Sequence, residues 1–500
     1  MAKLIPLQLP PGMMANGTEY DAKGRWRDGS LVRWYNGLLR PVGGWMRFTP
    51  TPIAEVVRAL LTWRDNAGYA RLSMGTASKL YVHDGAIASD ITPVGLVPGR
   101  DSGAQGLGYG ADDYGVDEYG TPRANSGLVL DATVWDLDNF GQDLIAFSPA
   151  DGRIFKWTPP NAGVKAAVIH ASAPEDNRAV LASDERHLVA LGADGDPRRV
   201  TWCSQEDYTQ WTATATNTAG SLQLHTNGAL MNGRRLPGEM LLWTDTDLHS
   251  MRYQGPPFVY GTQRVGTNCG LIGRHAHASA GDFVAWMGQR SFFIYDGNVK
   301  PLPSEVQERV FNDLNYLQAS KIVASNNSQY GEVWWFYPSA ESAENDRYVI
   351  WSYKENWWAT GALARTAWAD REVWPYPLAA APDGNLYQQE QGWTAGGEDR
   401  FGLIYAESGP VDIGTGDQTL AVQQLIPDNS GDATLAYTFT TKQTPNGPAT
   451  VAGPYGQLHG QGYIDARFTG RQAVVKVAPQ EDGLFHLGTL RLDGTMGGRR

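Results

Sequence analysis

The feature that most constrains the fold is a short phrase that recurs from residue 80 to residue 390, an aliphatic strand placed beside an Asp-Gly or equivalent turn. Examples are Leu80-Tyr81-Val82-His83-Asp84-Gly85, Asp151-Gly152-Arg153-Ile154-Phe155, Phe293-Ile294-Tyr295-Asp296-Gly297 and Asp383-Gly384-Asn385-Leu386-Tyr387. Asp-Gly suits a tight hairpin because Gly adopts positive φ freely and Asp tolerates it. One aliphatic marker per phrase gives Leu80, Ile154, Val200, Leu248, Ile294, Val349 and Leu386, spaced by 37 to 55 residues except for a first gap of 74. A period near ~40–50 residues is the length of a four-stranded propeller blade. The long first gap holds a low-complexity insertion at 101–126, and its removal brings that gap into line with the rest.

Between the markers lie short apolar runs behind a polar residue: Asp143–Phe147, His187–Leu191, Glu239–Trp243, Asp282–Trp286 and Glu332–Phe336. Such runs read as strands buried between neighbouring blades. Radial closure leaves few unpaired edges, so the pattern predicts an all-β chain with a β-propeller of six or seven blades over 61–400. The 58 Gly and 18 Trp agree with many short strands and tight turns. A helix is expected from Ser304, where a Ser304/Gln307 capping box precedes Val306, Val310, Phe311 and Leu314 on one face.

From Phe401 the alternation turns to period two in Leu435–Thr440, Tyr463–Phe468 and Ala473–Val477, with turns expected at Pro445–Pro448 and Gly453–Gly456. This predicts a C-terminal antiparallel β-sandwich over 401–500. Residues 1–60 carry no clean repeat and are expected to form an extended arm that packs on the propeller or joins its last blade to its first.

Lys and Arg number 41 against 53 Asp and Glu, a net charge of −12, so the chain lacks a generic grip on DNA or anionic lipid. Cys203 and Cys269 read as two reduced, buried thiols. No apolar run reaches the ~18–20 residues of a membrane helix, and the proline-broken start does not read as a signal peptide.

Chemistry-bearing motifs are few. Asp136-Leu-Asp138-Asn139-Phe140-Gly141-Gln-Asp143 imitates a calcium loop, but Phe140 takes a ligand position and no Glu closes it, so it reads as a turn capped by its own side chains. His275-Ala-His277, six residues past Cys269, lacks a further ligand at zinc spacing and reads as two polar surface positions. Asp245, Asp247 and Glu332 are carboxylates of the kind a glycosidase pairs, yet position alone selects no pair. There is no nucleophile elbow, phosphate loop or dinucleotide fingerprint. Trp334-Trp335 and Trp357-Trp358 suit either sugar stacking or strand cores, with packing the plainer reading. No catalytic residue, metal or cofactor is expected.

The insertion is the main candidate for a site. Tyr109, Tyr114 and Tyr119 recur every five residues among Asp112, Asp113, Asp117 and Glu118. Besides a solvated loop, this suits a contact loop at a channel or a ring junction. Acidic residues crowd 101–143 with Arg123 alone opposing them, whereas residues 21–64 hold eight basic against three acidic residues. Two unlike patches on one chain are what a head-to-tail ring needs.

Several longer phrases resemble one family. They are Gly24-Arg-Trp-Arg-Asp-Gly-Ser-Leu-Val-Arg-Trp34, Arg40-Pro-Val-Gly-Gly-Trp45, Trp135-Asp-Leu-Asp-Asn-Phe-Gly141 and Trp202-Cys-Ser-Gln-Glu-Asp-Tyr208, with Asn217-Thr-Ala-Gly220, Glu332-Val-Trp-Trp-Phe-Tyr-Pro338 and Arg365-Thr-Ala-Trp368. Together these resemble the tail nozzle, also called tail hub or tubular tail protein, of short-tailed bacteriophages. The resemblance implies a virion tail protein, assembled in the host cytoplasm, that forms a hexameric ring beneath portal and adaptor. Its implied partners are the adaptor ring, tail fibres or spikes, and a tail needle or plug, with genomic DNA passing through and no membrane contact. It implies no enzymatic residues. The alternative expectation is a carbohydrate-binding propeller of the tail that recognises a host receptor.

Overall fold

In a computed structural model of the chain, residues 2–105, 129–161, 163–412, 418–443, 447–458 and 460–497 are described. Seven four-stranded antiparallel sheets form among them, spanning 59–90, 136–168, 179–223, 230–267, 277–302, 323–362 and 367–389. We number these blades 1 to 7. The first strands of neighbouring blades touch around a ring, Arg234 donates to Ser279 at 3.2 Å across the seam of blades 4 and 5, and blade 7 meets blade 1, so the sheets close into a seven-bladed β-propeller.

All seven markers fall on the third strand of their blade, from Leu80 in Leu80–His83 to Leu386 in Leu386–Gln389. Gly85, Gly152, Gly297 and Gly384 of the Asp-Gly phrases have φ of 98°, 82°, 101° and 76°, the left-handed region the turn needs. The second strands are the apolar runs, and in Glu332–Tyr337 every residue is buried. Sheets covered on both faces by neighbouring blades require this continuous apolar pattern. Because the innermost strands run alike, the propeller has a leading rim where they begin, at Arg58, Asp136, Lys321 and Arg365, and a trailing rim where they end.

Blade 7 has only three strands of its own; its outer strand is Trp45–Arg47, paired as Gln388↔Met46. This contact between chain segments some 340 residues apart closes the ring. The remaining N-terminal strands go elsewhere. Ala2–Leu7, Val32–Tyr35 and Leu38–Pro41 join one six-stranded sheet with Leu420–Gly431, Ile464–Gly470 and Phe485–Met496. Trp26–Ser30 joins the other, beside Tyr405–Ser408, Gln472–Pro479 and Leu435–Lys442. The two sheets enclose a core that includes Trp34, Leu425, Phe439, Phe468 and Leu487. The sandwich is therefore built from both ends of the chain, while the stretch between its first two N-terminal strands lies against the propeller, where the Met13 N–H bonds the Trp358 carbonyl and the Ala15 N–H the Glu305 carbonyl, both at 2.8 Å.

Three local expectations change. The helix is a single six-residue turn, Gln307–Asn312, with Val306 as its N-cap and no side-chain capping bond; Ser304 bonds the Val306 N–H instead. Gly453–Gly456 lies inside the strand Thr450–Gly456, held by pairing with Tyr437 and Ala436. The turn expected at Pro445–Pro448 falls partly outside the described residues.

Candidate functional site

A cavity of about 230 Å³ runs along the propeller axis, lined by the innermost strands and including Arg234, His277, Ser279, Asn326 and Asp370. On the blade 2–4 side its leading end is filled. Asp136, first residue of the innermost strand of blade 2, faces Arg274 Nη1 at 3.3 Å and His275 Nε2 at 3.1 Å. Arg274 also donates to the Met231 carbonyl at 3.0 Å and to the Arg178 carbonyl, so one guanidinium ties blades 2, 3 and 4 together. His277 is buried and stacked on Trp243, ring centroids 4.8 Å apart, and burial holds its imidazole well below the usual range, neutral.

The expected calcium-like turn is thus the strand Asp136–Phe140, paired with Asp143–Phe147, and its two carboxylates are spent on the fold: Asp136 on Arg274 and His275, Asp138 on the Ala182 N–H at 2.7 Å. The two histidines are not surface positions, because the chain reaching the axis turns His275 to Asp136 and slots His277 between blades 4 and 5.

The insertion leaves the leading rim on a two-stranded ribbon, Ala104–Gln105 with Val129–Leu130. Tyr109, Asp112, Asp113, Tyr114, Asp117, Glu118 and Tyr119 lie outside the described residues. The base of the ribbon is gripped from across the propeller by the segment that precedes blade 6. Gln318 exchanges two bonds with the Gly103 backbone, at 2.8 and 2.9 Å. Lys321 donates to Ser102 and to Glu344 at 3.1 and 2.6 Å, and Arg58 of blade 1 donates to Glu344 at 2.7 and 2.9 Å and to the Asp101 carbonyl at 2.8 Å. Burial pulls the Lys321 ammonium below its ordinary range; burial pushes Glu344 up, but the bonds from Arg58 and Lys321 outweigh it and hold the carboxyl low. A side chain at 103 would put its Cβ 2.1 Å from the Leu317 carbonyl oxygen, so this approach requires Gly.

A second polar cluster joins propeller to sandwich. Arg33, on a sandwich strand, is fully buried between Glu332 of blade 6 and Glu390 after blade 7, with contacts of 2.9 Å to each carboxylate. Glu390 also accepts from the Gly43 N–H and from Asn327, and Glu332 accepts from the Trp334 indole. Two acids around one guanidinium divide unequally. Burial pushes both up; Glu332 stays raised, while the bonds to Glu390 bring it below its usual range. Trp45 sits between Arg365 and Arg400 at 4.8 and 5.4 Å, and burial draws both guanidinium groups down to about 10. Sequence reasoning missed Arg33–Glu332–Glu390 as a unit, because its members are some 300 residues apart.

Other expected surfaces are consumed by packing. Trp334, Trp335, Trp357 and Trp358 are all buried, Trp335 stacked on Trp358, Trp334 on Trp368 and Trp357 edge-on to Trp34, and offer no platform for a sugar ring. Asp245 caps the Ala229 N–H, and Asp247 is buried with Thr226. Of the basic residues in 21–64, Lys23, Arg25, Arg33 and Arg58 pair within the chain with Asp412, Glu305, Glu332 and Glu344, so they do not form a free basic face. Cys203 and Cys269 are unpaired and buried, and burial pushes their thiols up to about 12 and about 11. Among the described residues no three His, Cys, Asp or Glu converge to hold a metal, and no helix is long and apolar enough to cross a membrane.

Searches with the sequence find no matching family model and no matching curated protein. By structure the chain is similar to the WD40 domain of Neurospora crassa Pan2, at 10% identity and a TM-score of 0.38, over 70% of this chain and 94% of that one. It is likewise similar to YCF48 bound to a D1 peptide, at 9% identity and a TM-score of 0.38, over 70% and 97% of the respective chains.

Proposed function

We propose that the chain is a structural subunit of a short-tailed bacteriophage virion, one wedge of a hexameric tail nozzle that continues the DNA ejection channel below portal and adaptor. One observation carries the reading. Four of the seven phrases that resemble the nozzle family meet in one buried place: Arg33 from the first, Trp45 from the second, Glu332 from the Trp-Trp phrase and Arg365 from the last surround the junction of propeller and sandwich. That junction serves rigidity and not chemistry, since each group is enclosed and bound to another part of the same chain. A wall segment of a conduit needs a fixed angle between its modules, and rigid welding supplies it.

The net charge of −12 supports the same reading. Each Lys or Arg that neutralises a phosphate adds salt-dependent attraction, so a passage for DNA works best with a surface that repels it. The partners in this reading are five further copies, the adaptor ring, fibres or spikes, and a needle or plug. Native mass spectrometry of the chain mixed with its adaptor ring tests it: six copies bound per adaptor ring are expected, and a chain that remains monomeric beside the adaptor overturns it.

A further inference from the structure

Five Asn-Gly pairs occur in the chain, at 16–17, 36–37, 227–228, 232–233 and 446–447. In such a pair the backbone nitrogen of the glycine can close on the side-chain amide carbon of the asparagine, and glycine sets no Cβ in the way. The last pair lies partly outside the described residues. The fold gives the other four different neighbours.

Asn16 belongs to the stretch between Ala2–Leu7 and Trp26–Ser30 that lies against the propeller. Its side-chain carbonyl accepts the Glu308 N–H at 2.9 Å, and its amide donates to the Ser304 carbonyl at 2.8 Å. The next nitrogen in the chain, that of Gly17, donates to the Glu308 carboxylate at 2.8 Å. Glu308 therefore faces both halves of a ring closure. Its carboxylate is within the distance at which a general base takes a proton from a nucleophile. Its N–H is at the distance from which a donor steadies an oxyanion, and it meets the oxygen on which that charge would form. Asn16 is half-buried while Gly17 and Glu308 are exposed, so water reaches the pair.

The other pairs lack this arrangement. The Glu355 carboxylate is 3.4 Å from the Gly37 nitrogen, and no N–H among the described residues bonds the Asn36 side-chain carbonyl. The Gly228 N–H donates to the Thr226 hydroxyl at 3.0 Å, and the Gly233 N–H donates back to the Asn232 side-chain oxygen at 2.8 Å.

We propose that Asn16 is a self-modification site, converted through a succinimide to aspartate or isoaspartate with Glu308 as the base. Glu308 takes the Gly17 amide proton as the bond from that nitrogen to Asn16 Cγ forms, and Asn16 Oδ1 gains charge against the Glu308 N–H. The proton then passes to Asn16 Nδ2, which leaves as ammonia as its bond to Cγ breaks. One water opens the ring at either carbonyl. The product has lost the amide donor to Ser304 and sets a carboxylate beside that of Glu308, so the stretch loosens from the propeller. Nothing in this chemistry depends on ring assembly, and its failure leaves the nozzle reading untouched.

The test is peptide mapping of the full chain held at neutral pH in heavy-oxygen water, then digested with pepsin at acid pH. In the folded protein Asn16 should convert at least about ten-fold faster than Asn36, Asn227 or Asn232, and faster than Asn16 itself in the urea-unfolded chain, with heavy oxygen in the product. Glu308→Gln keeps the backbone N–H and an acceptor for Gly17 but has no base; it should slow Asn16 at least about ten-fold while the melting temperature and the Asn36 rate stay as in the parent. Asn16→Asp, one of the two products, should speed tryptic cleavage after Lys23, whose side chain is half exposed. Conversion of Asn16 that is slower in the folded than in the unfolded chain shows that the fold protects the pair and overturns the proposal. Glu308→Gln at the parent rate overturns Glu308 as the base, and Asn16→Asp cleaved at the parent rate overturns the loosening.

Discussion

Replacing Arg33 by Met should uncouple the propeller from the sandwich. The guanidinium side chain is 0% exposed and its partner carboxylates 1%. Its removal strands two carboxylates away from water with only Asn327, the Gly43 N–H and the Trp334 indole for support. Breaking a buried ion pair from one side costs about 3–5 kcal/mol, and the cation–π contact with Tyr330, 3.8 Å from the guanidinium carbon, adds to the loss. The matched control is Arg33→Met/Glu332→Gln/Glu390→Gln, which removes all three charges and should recover most of the stability, because a neutral, well-filled site forgoes the desolvation cost as well as the attraction. Urea unfolding followed by tryptophan fluorescence reads both variants. The reasoning is refuted if Arg33→Met lies within about 1 kcal/mol of the parent, or if the triple variant is the less stable of the two.

Two further outcomes follow from the axis and the ribbon. The His277 imidazole is held well below its unfolded range by burial, so the unfolded chain binds its proton first and stability falls as pH drops below about 6.5. His277→Phe, which keeps a ring against Trp243, should flatten that decline by up to about 1.4 kcal/mol per pH unit; an unchanged slope between pH 6.5 and 5 contradicts a neutral His277. Gly103→Ala should force the ribbon off the Leu317 carbonyl and cost about 1–3 kcal/mol, read as faster limited proteolysis between residues 105 and 129 than in the parent.

The propeller was legible because blade strands obey local rules. Leu80, Ile154, Val200, Leu248, Ile294, Val349 and Leu386 each sit next to a turn residue within a few positions, and the buried second strands of blades 2 to 6 are apolar runs, several behind a polar first residue. The sandwich was half legible. Leu435–Lys442 alternates visibly, but Ala2–Leu7 pairs with Thr495 to Leu490 and Trp26 with Ser408, and nothing in a short strand names a partner 400 residues away. The polar clusters were hidden for the same reason. Arg33 looked like one of a basic set until Glu332 of blade 6 and Glu390, just past blade 7, arrived beside it, and His275 and His277 looked like surface pairs until the axis placed Asp136 and Trp243 beside them.

The most direct test of a conduit-wall role is a density map of the assembled virus into which this seven-bladed propeller and its sandwich are fitted. Six copies arranged around the exit path, immediately below the adaptor, are the predicted result. Copies found only on peripheral fibres, or a ring of this chain with no passage wide enough for duplex DNA, would contradict it.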